Sequence, residues 1–244
     1  MSRILTVLIL LLSALPARAG FWLTTWDEFV SPVTTAAWPY ALGGASVTGI
    51  LAIDGVEDSL GVEVQNETVE NHPLGSWSRL GDISGQMVPN FFYVGGMYAM
   101  YLADQGEVYK SRSVHMLKST IYAATFSTIV KNIAREPRPN GSNSKASFPS
   151  GHATTAFAFA AVVGTEHEWY WAVPAYALAG LVAYSRINDN QHRLHDVVGG
   201  AVVGLSYGLS LHYLYKDDAK KPSPDVALIP VGRDGLMLSV SGTF

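Results

Sequence analysis

Three short clusters hold the residues that can do chemistry together. The first is Lys131, six residues, then Arg138-Pro139. The second is Pro149-Ser150-Gly151-His152, and the third is Ser185-Arg186, five residues, His192, three residues, Asp196. Lys131, Arg138 and Arg186 are cations beside apolar stretches, in a chain with only 15% charged residues. Cations drawn towards an apolar interior need an anion, because an unpaired desolvated charge is very costly. Guanidinium forks suit phosphate oxygens. Ser150 is placed as an N-cap, and Gly151 allows close approach at the start of the next helix. Free N–H groups and the dipole favour negative charge there. The anion that fits this set best is a phosphoryl group.

Two histidines complete the set. His192 and Asp196 are four apart, so on a helix they share a face. The carboxylate can hold one imidazole nitrogen and leave the other to attack. His192 is then the candidate nucleophile, passing through a phosphohistidine. His152 is the candidate acid and base, protonating the leaving oxygen and later deprotonating water. The cations and N–H groups would stabilise the transition state without a metal. A competing use of the third cluster is metal ligation by His192, His195 and Asp196, although the nearby arginines would repel a cation. Otherwise His195 is a supporting or rim residue. His72, His115, His167 and His212 have no partner at telling spacing and read as surface or packing residues.

Lys-x6-Arg-Pro, Pro-Ser-Gly-His and Ser-Arg-x5-His-x3-Asp, in that order, resemble the signature of the type 2 phosphatidic acid phosphatase (PAP2) superfamily. That superfamily includes bacterial acid phosphatases, lipid phosphatases and vanadium haloperoxidases. The resemblance runs from Lys131 to Asp196 with no departure at the signature positions. It implies a helical-bundle core and a phosphate pocket of Lys131, Arg138, Ser150, Gly151 and Arg186. It also implies His152 as acid/base, His192 as nucleophile and Asp196 as its orienting partner. The activity implied is metal-independent hydrolysis of a phosphomonoester, either a lipid phosphate or a small soluble ester. No cofactor is expected, though vanadate could occupy the pocket as a phosphate mimic. Two alternatives stay open: a vanadium-dependent haloperoxidase, and a non-catalytic phosphate- or lipid-binding envelope protein. The first hundred residues carry no motif of this family.

The rest of the chain must position those clusters. Its 244 residues are ample for a core, and the absence of cysteine excludes disulfides, thiolate nucleophiles and cysteine-ligated metals. A net charge of -4 gives no footprint for nucleic acid. Residues 1–19 read as a secretory signal, with Arg3, an apolar run from Ile4 to Leu12, and Ala17-Arg18-Ala19. This points to the periplasm, with an integral inner-membrane bundle as the alternative. Residues 20–84 form an N-terminal segment: irregular over 20–36, a short buried helix over Trp38 to Ile53, then over Asp54 to Ile83 a connector with room for one amphipathic helix. Residues 85–216 form the catalytic bundle. Helices are expected at Phe91 to Ala103, Val114 to Lys131, Gly151 to Gly164, Trp169 to Tyr184 and His192 to Tyr215. The second of these puts Leu117, Ile121, Ala124 and Thr128 on one face at helical spacing, and the last uses Gly199, Gly200, Gly204 and Gly208 for close packing. Residues 217–244 read as a tail with a β-hairpin around Asp234-Gly235. The fold class is thus all-α with a small C-terminal hairpin. The apolar runs fall short of the roughly 20 residues a membrane span wants, so a soluble bundle is expected. Partners are a phosphorylated small molecule or lipid head group, with contact to a membrane surface and no nucleic acid.

Overall fold

A computed structural model describes residues 21–218, 225–231 and 235–241. The expected signal segment lies outside the described residues. The helices are α1 (Phe21–Thr34), α2 (Trp38–Leu51), α3 (Val62–Asn71), α4 (Ser78–Ser84), α5 (Val88–Leu102), α6 (Glu107–Ala134), α7 (Gly151–Glu166), α8 (Trp169–Asn188) and α9 (Leu194–Asp218). Short helical turns fill 54–61 and 75–77. Helix ends follow local chemistry. Pro89 opens α5, where its missing N–H costs nothing. Arg135 turns left-handed (φ 50°) to end α6, and Pro137 and Pro139 prevent its resumption.

At the centre, α7 lies along α9. Gly200, Gly204 and Gly208 recur every four residues down that face, and a Cβ on Gly204 would stand 2.7 Å from the Ala158 backbone nitrogen. Only hydrogen fits there, so the two backbones touch. Around this pair, α6 and α8 pack on α7, and α1, α2 and α6 pack on α9. Small residues fill the middle: Ala153, Ala156, Ala158, Ala160 and Ala161 are buried. Much of the rest of the interior is polar. Asn90 donates to the Thr120 hydroxyl at 2.8 Å and the Thr155 carbonyl at 3.1 Å. Ser119, Ser127 and Thr154 are also buried. Many large apolar side chains lie on the outside: Phe92 is 78% exposed, Ile133 76% and Trp169 74%.

This inside-out pattern corrects several expectations. Residues from Phe21 to Thr34 are helical rather than irregular. The segment from Trp38 is a helix, but Trp38, Tyr40, Leu42, Val47 and Ile50 face outward, so it is not a buried one. The stretch read as connector with one amphipathic helix contains two helices, α3 and α4. In α6 the buried face is Met116, Ser119, Thr120, Ala123 and Ser127; Thr128 is exposed and Leu117, Ile121 and Ala124 are only partly covered. The reason is common to all. Assigning apolar residues to the interior assumes that water is the solvent. Where lipid surrounds the helices, apolar faces turn outward at no cost and polar groups are satisfied inside. Leu194–Lys216 is long and apolar enough to cross a membrane.

Beyond the bundle, β1 (Asp225–Val231) and β2 (Gly235–Ser241) pair antiparallel, with Val231 opposite Gly235. Residues 232–234 of the expected turn lie outside the described residues. The body that holds the candidate site is entirely helical.

Candidate active site

The three clusters meet at one end of the bundle, where α6 and α8 finish and α7 and α9 begin. His192 does not lie on α9 as expected; it sits in the turn before that helix. Its pairing with Asp196 nevertheless forms, with Nδ1 3.5 Å from Oδ2. Asp196 is completely buried. Its Oδ2 also accepts from the Ser147 hydroxyl at 2.6 Å and from the Arg193 backbone N–H at 2.8 Å. The latter bond is half of a capping box: a third-position carboxylate reaches back to the residue that precedes the helix. One side chain therefore starts α9 and orients His192. Because Nδ1 is occupied, Nε2 is the nitrogen left for substrate. Burial holds His192 below the ordinary imidazole range, even though Asp196 pulls the other way.

The anion-binding candidates surround this pair. The Ser150 backbone N–H donates to the Asp196 carbonyl at 2.8 Å, which locks the start of α7 to the start of α9. Ser150 is extended at the N-cap (ψ 115°), and its fully buried hydroxyl has no hydrogen-bond partner. Gly151 is the first residue of α7. Lys131 donates to the carbonyls of Ala146 and Ser147, both at 3.2 Å, and to that of Pro149. It thereby pins the loop that delivers Ser150. Arg138 contacts the Gln191 side-chain oxygen, next to His192, and its buried Nε is unpartnered. Arg186 is buried, with Asp82 Oδ1 at 2.6 Å and Asp189 Oδ2 at 3.2 Å. His152 Nε2 stands 3.2 Å from the same Asp82 oxygen. Both imidazoles feel the Arg138 charge; His152 also feels Arg186 and His192, and His192 feels Lys131. All eight sequence-predicted positions thus belong to one constellation. Its unpartnered buried donors on Ser150 and Arg138 are the kind an incoming oxyanion satisfies.

Sequence reasoning missed four neighbours. Ser147 supports Asp196, Gln191 meets Arg138, and Asp82 joins His152 to Arg186. The fourth is Glu136, 3.0 Å from His195 Nε2. Ser147 sits three residues before Ser150, where the motif itself could have drawn attention to it. Asp82 lies on α4, in a segment with no motif. His195 is buried between Glu136 and Glu57 rather than on a rim. Among the described residues, the group close enough to share a metal is Glu136, His195 and Asp196, not the His192-containing set. Arg193 already brings positive charge to Glu136 at 2.9 Å. His115, His167 and His212 are more than packing residues. The first pairs with Glu166 at 2.8 Å, the second with Tyr93 at 2.6 Å, and the third lies 3.6 Å from Glu166. A cavity of about 330 Å³ lies against the loop before Ser150, lined by Phe126, Val130, Phe148, Pro149, Gly199 and Val202 among others.

Comparison with known proteins matches residues 112–220, from α6 past the end of α9, to the PAP2 superfamily. That match spans 109 of the 244 residues. A lipid A 1-phosphatase from Porphyromonas gingivalis is 41% identical over 75 residues, 29% of this chain. The match covers only 16% of that relative's length. Among solved structures, a transmembrane PAP2-type phosphatidylglycerolphosphate phosphatase from Bacillus subtilis shares the fold. Its TM-score is 0.58 at 19% identity, covering 78% of this chain and 97% of that one. LpxE from Aquifex aeolicus aligns with a TM-score of 0.47 at 22% identity, over 64% of this chain and 96% of that one.

The shared fold is that of a transmembrane protein, and it overturns the soluble periplasmic protein expected from the sequence. That expectation counted polar residues against a bilayer without knowing where they point. In α6 and α9, His115 and His212 face Glu166, and Lys118 reaches Glu28 at 2.5 Å. These groups are satisfied inside the bundle, and the apolar sides of the helices are left facing outward. Trp169 and Trp171 point outward, as an interfacial belt would.

Proposed function

We propose that this protein is a phosphatase that removes the phosphoryl group from a lipid phosphomonoester through a phosphohistidine on His192. The observation that carries this is the buried His192–Asp196 pair, set beside unpartnered donors at the α7 start and two arginines. The phosphate oxygens would take Arg138, Arg186, the Ser150 hydroxyl and the free N–H groups at the start of α7. Lys131 adds positive charge behind that loop. His192 Nε2 attacks phosphorus in line with the ester oxygen; the P–N bond forms as the P–O bond breaks. Asp196 stabilises the positive charge that develops on the ring. His152 gives its proton to the leaving alkoxide and the alcohol departs. The now neutral His152 takes a proton from water, whose oxygen attacks phosphorus. The P–N bond breaks, inorganic phosphate leaves, and both histidines return to their starting states.

A lipid substrate is favoured over a small soluble ester by the many exposed apolar side chains, which support a site at a membrane. The names of the relatives also point to lipid phosphates, lipid A and phosphatidylglycerolphosphate. The protein's own cations supply the charge that a metal would otherwise bring, so the reaction should proceed in EDTA. The test is phosphate release from a lipid phosphomonoester in detergent micelles with chelator, using wild type and His192→Ala. Release that persists in EDTA and is abolished by His192→Ala supports the proposal. Full loss with chelator, or an unchanged rate in the variant, contradicts it.

A further inference from the structure

Both histidines of the site face a carboxylate, in opposite senses. Asp196 takes Nδ1 of His192 and leaves Nε2. Asp82 Oδ1 stands 3.2 Å from Nε2 of His152, within ion-pair range but without a hydrogen bond. Asp82 Oδ1 is shared between that nitrogen and Arg186, at 3.2 and 2.6 Å, while Oδ2 accepts from Gln86 at 3.0 Å. The carboxylate arrives from outside the signature because α4 lies unusually close to α8 and to the first turn of α7. Gly81 and Gly85, one helical turn apart, make that approach. A Cβ on Gly81 would stand 2.5 Å from Ser185 Cβ, and one on Gly85 2.7 Å from His152 Cβ. The Thr155 hydroxyl donates to the Gly85 carbonyl at 2.9 Å and fixes the junction. The placement of Asp82 is therefore built into the packing.

The electrostatic need is plain. To act as an acid, His152 must carry a second proton beside Arg186 and Arg138, both of which repel it. Asp82, whose Oδ1 lies between the ring and Arg186, is the negative group that offsets them. We propose that Asp82 is a positioning residue of the reaction. It holds a protonated His152 with Nδ1 turned to the leaving oxygen and holds the Arg186 fork towards the phosphate. This rests on the phosphatase function proposed above.

The test compares two esters with the full-length protein in micelles. The alkoxide of dodecyl phosphate needs a proton to leave, whereas the phenolate of 4-nitrophenyl phosphate does not. Asp82→Asn should lower kcat/KM for dodecyl phosphate by about 10²-fold, the lower end of general-acid effects, and for the aryl ester by less than about tenfold. Disturbance of Arg186 would reduce both equally, so the ratio of the two isolates the acid. Asp82→Glu should recover most of that ratio. An equal fall for both esters, or no fall, overturns the inference while leaving the phosphatase intact. A wild type inert towards both esters overturns the phosphatase itself and this inference with it. If Asp82→Asn does not fold, Gln86→Ala, which frees the other Asp82 oxygen, must move the ratio in the same direction; an unchanged ratio refutes the role.

Discussion

Replacing Asp196 by Asn separates charge from shape. The amide oxygen can still accept from Ser147 and from the Arg193 N–H, so α9 should start normally. What disappears is a negative charge 3.5 Å from the His192 ring, with both groups buried. At an effective dielectric constant near 20, two unit charges at that distance interact by roughly 5 kcal/mol. In the proposed mechanism the ring becomes positive only as it bonds phosphorus, so this energy acts on the transition state and not on the resting enzyme. The expected loss is about 10³-fold in kcat/KM. Loss of one neutral hydrogen bond would be worth about 1 kcal/mol, or roughly fivefold. The assay is release of 4-nitrophenol from its phosphate in micelles, with the folded fraction matched by circular dichroism. A folded Asp196→Asn protein within tenfold of wild type would refute the electrostatic role of Asp196.

Two further outcomes follow from the same geometry. Burial holds His192 below the ordinary imidazole range, and in the proposed mechanism the neutral ring is the nucleophile. The acid limb of the kcat/KM profile should therefore have its midpoint below about 6.5, and Asp196→Asn should move it lower still; a midpoint at or above neutrality would contradict this. Gly204→Ala pushes a methyl into the α7 backbone and should cost about 1–3 kcal/mol, whereas Gly49→Ala meets nothing within 4 Å and should be neutral. Thermal unfolding of both variants in one detergent checks the contrast.

The chemistry was easier to read than the surface. Lys131, Arg138, His152, Arg186, His192 and Asp196 are dictated by what a phosphoryl group requires, and that requirement is the same in water and in lipid. Partnership between His192 and Asp196 was also legible, although it forms across a turn rather than along one helix. Burial was not legible, because it depends on the solvent. Leu117 and Ile121 look like core in water and turn partly outward here, while Ser119, Thr120 and Ser127 form the true interior of α6. Asp82 left no trace in spacing. Its position depends on two glycines that let one short helix approach another, a relation that exists only after folding.

The most direct measurement is rapid acid-free quenching of the enzyme with ³²P-labelled substrate, followed by mass spectrometry of the peptide that carries the label. A base-stable, acid-labile phosphoryl group on His192 is the predicted result. Turnover without a covalent adduct, or a label on Ser150 or His152, would contradict it.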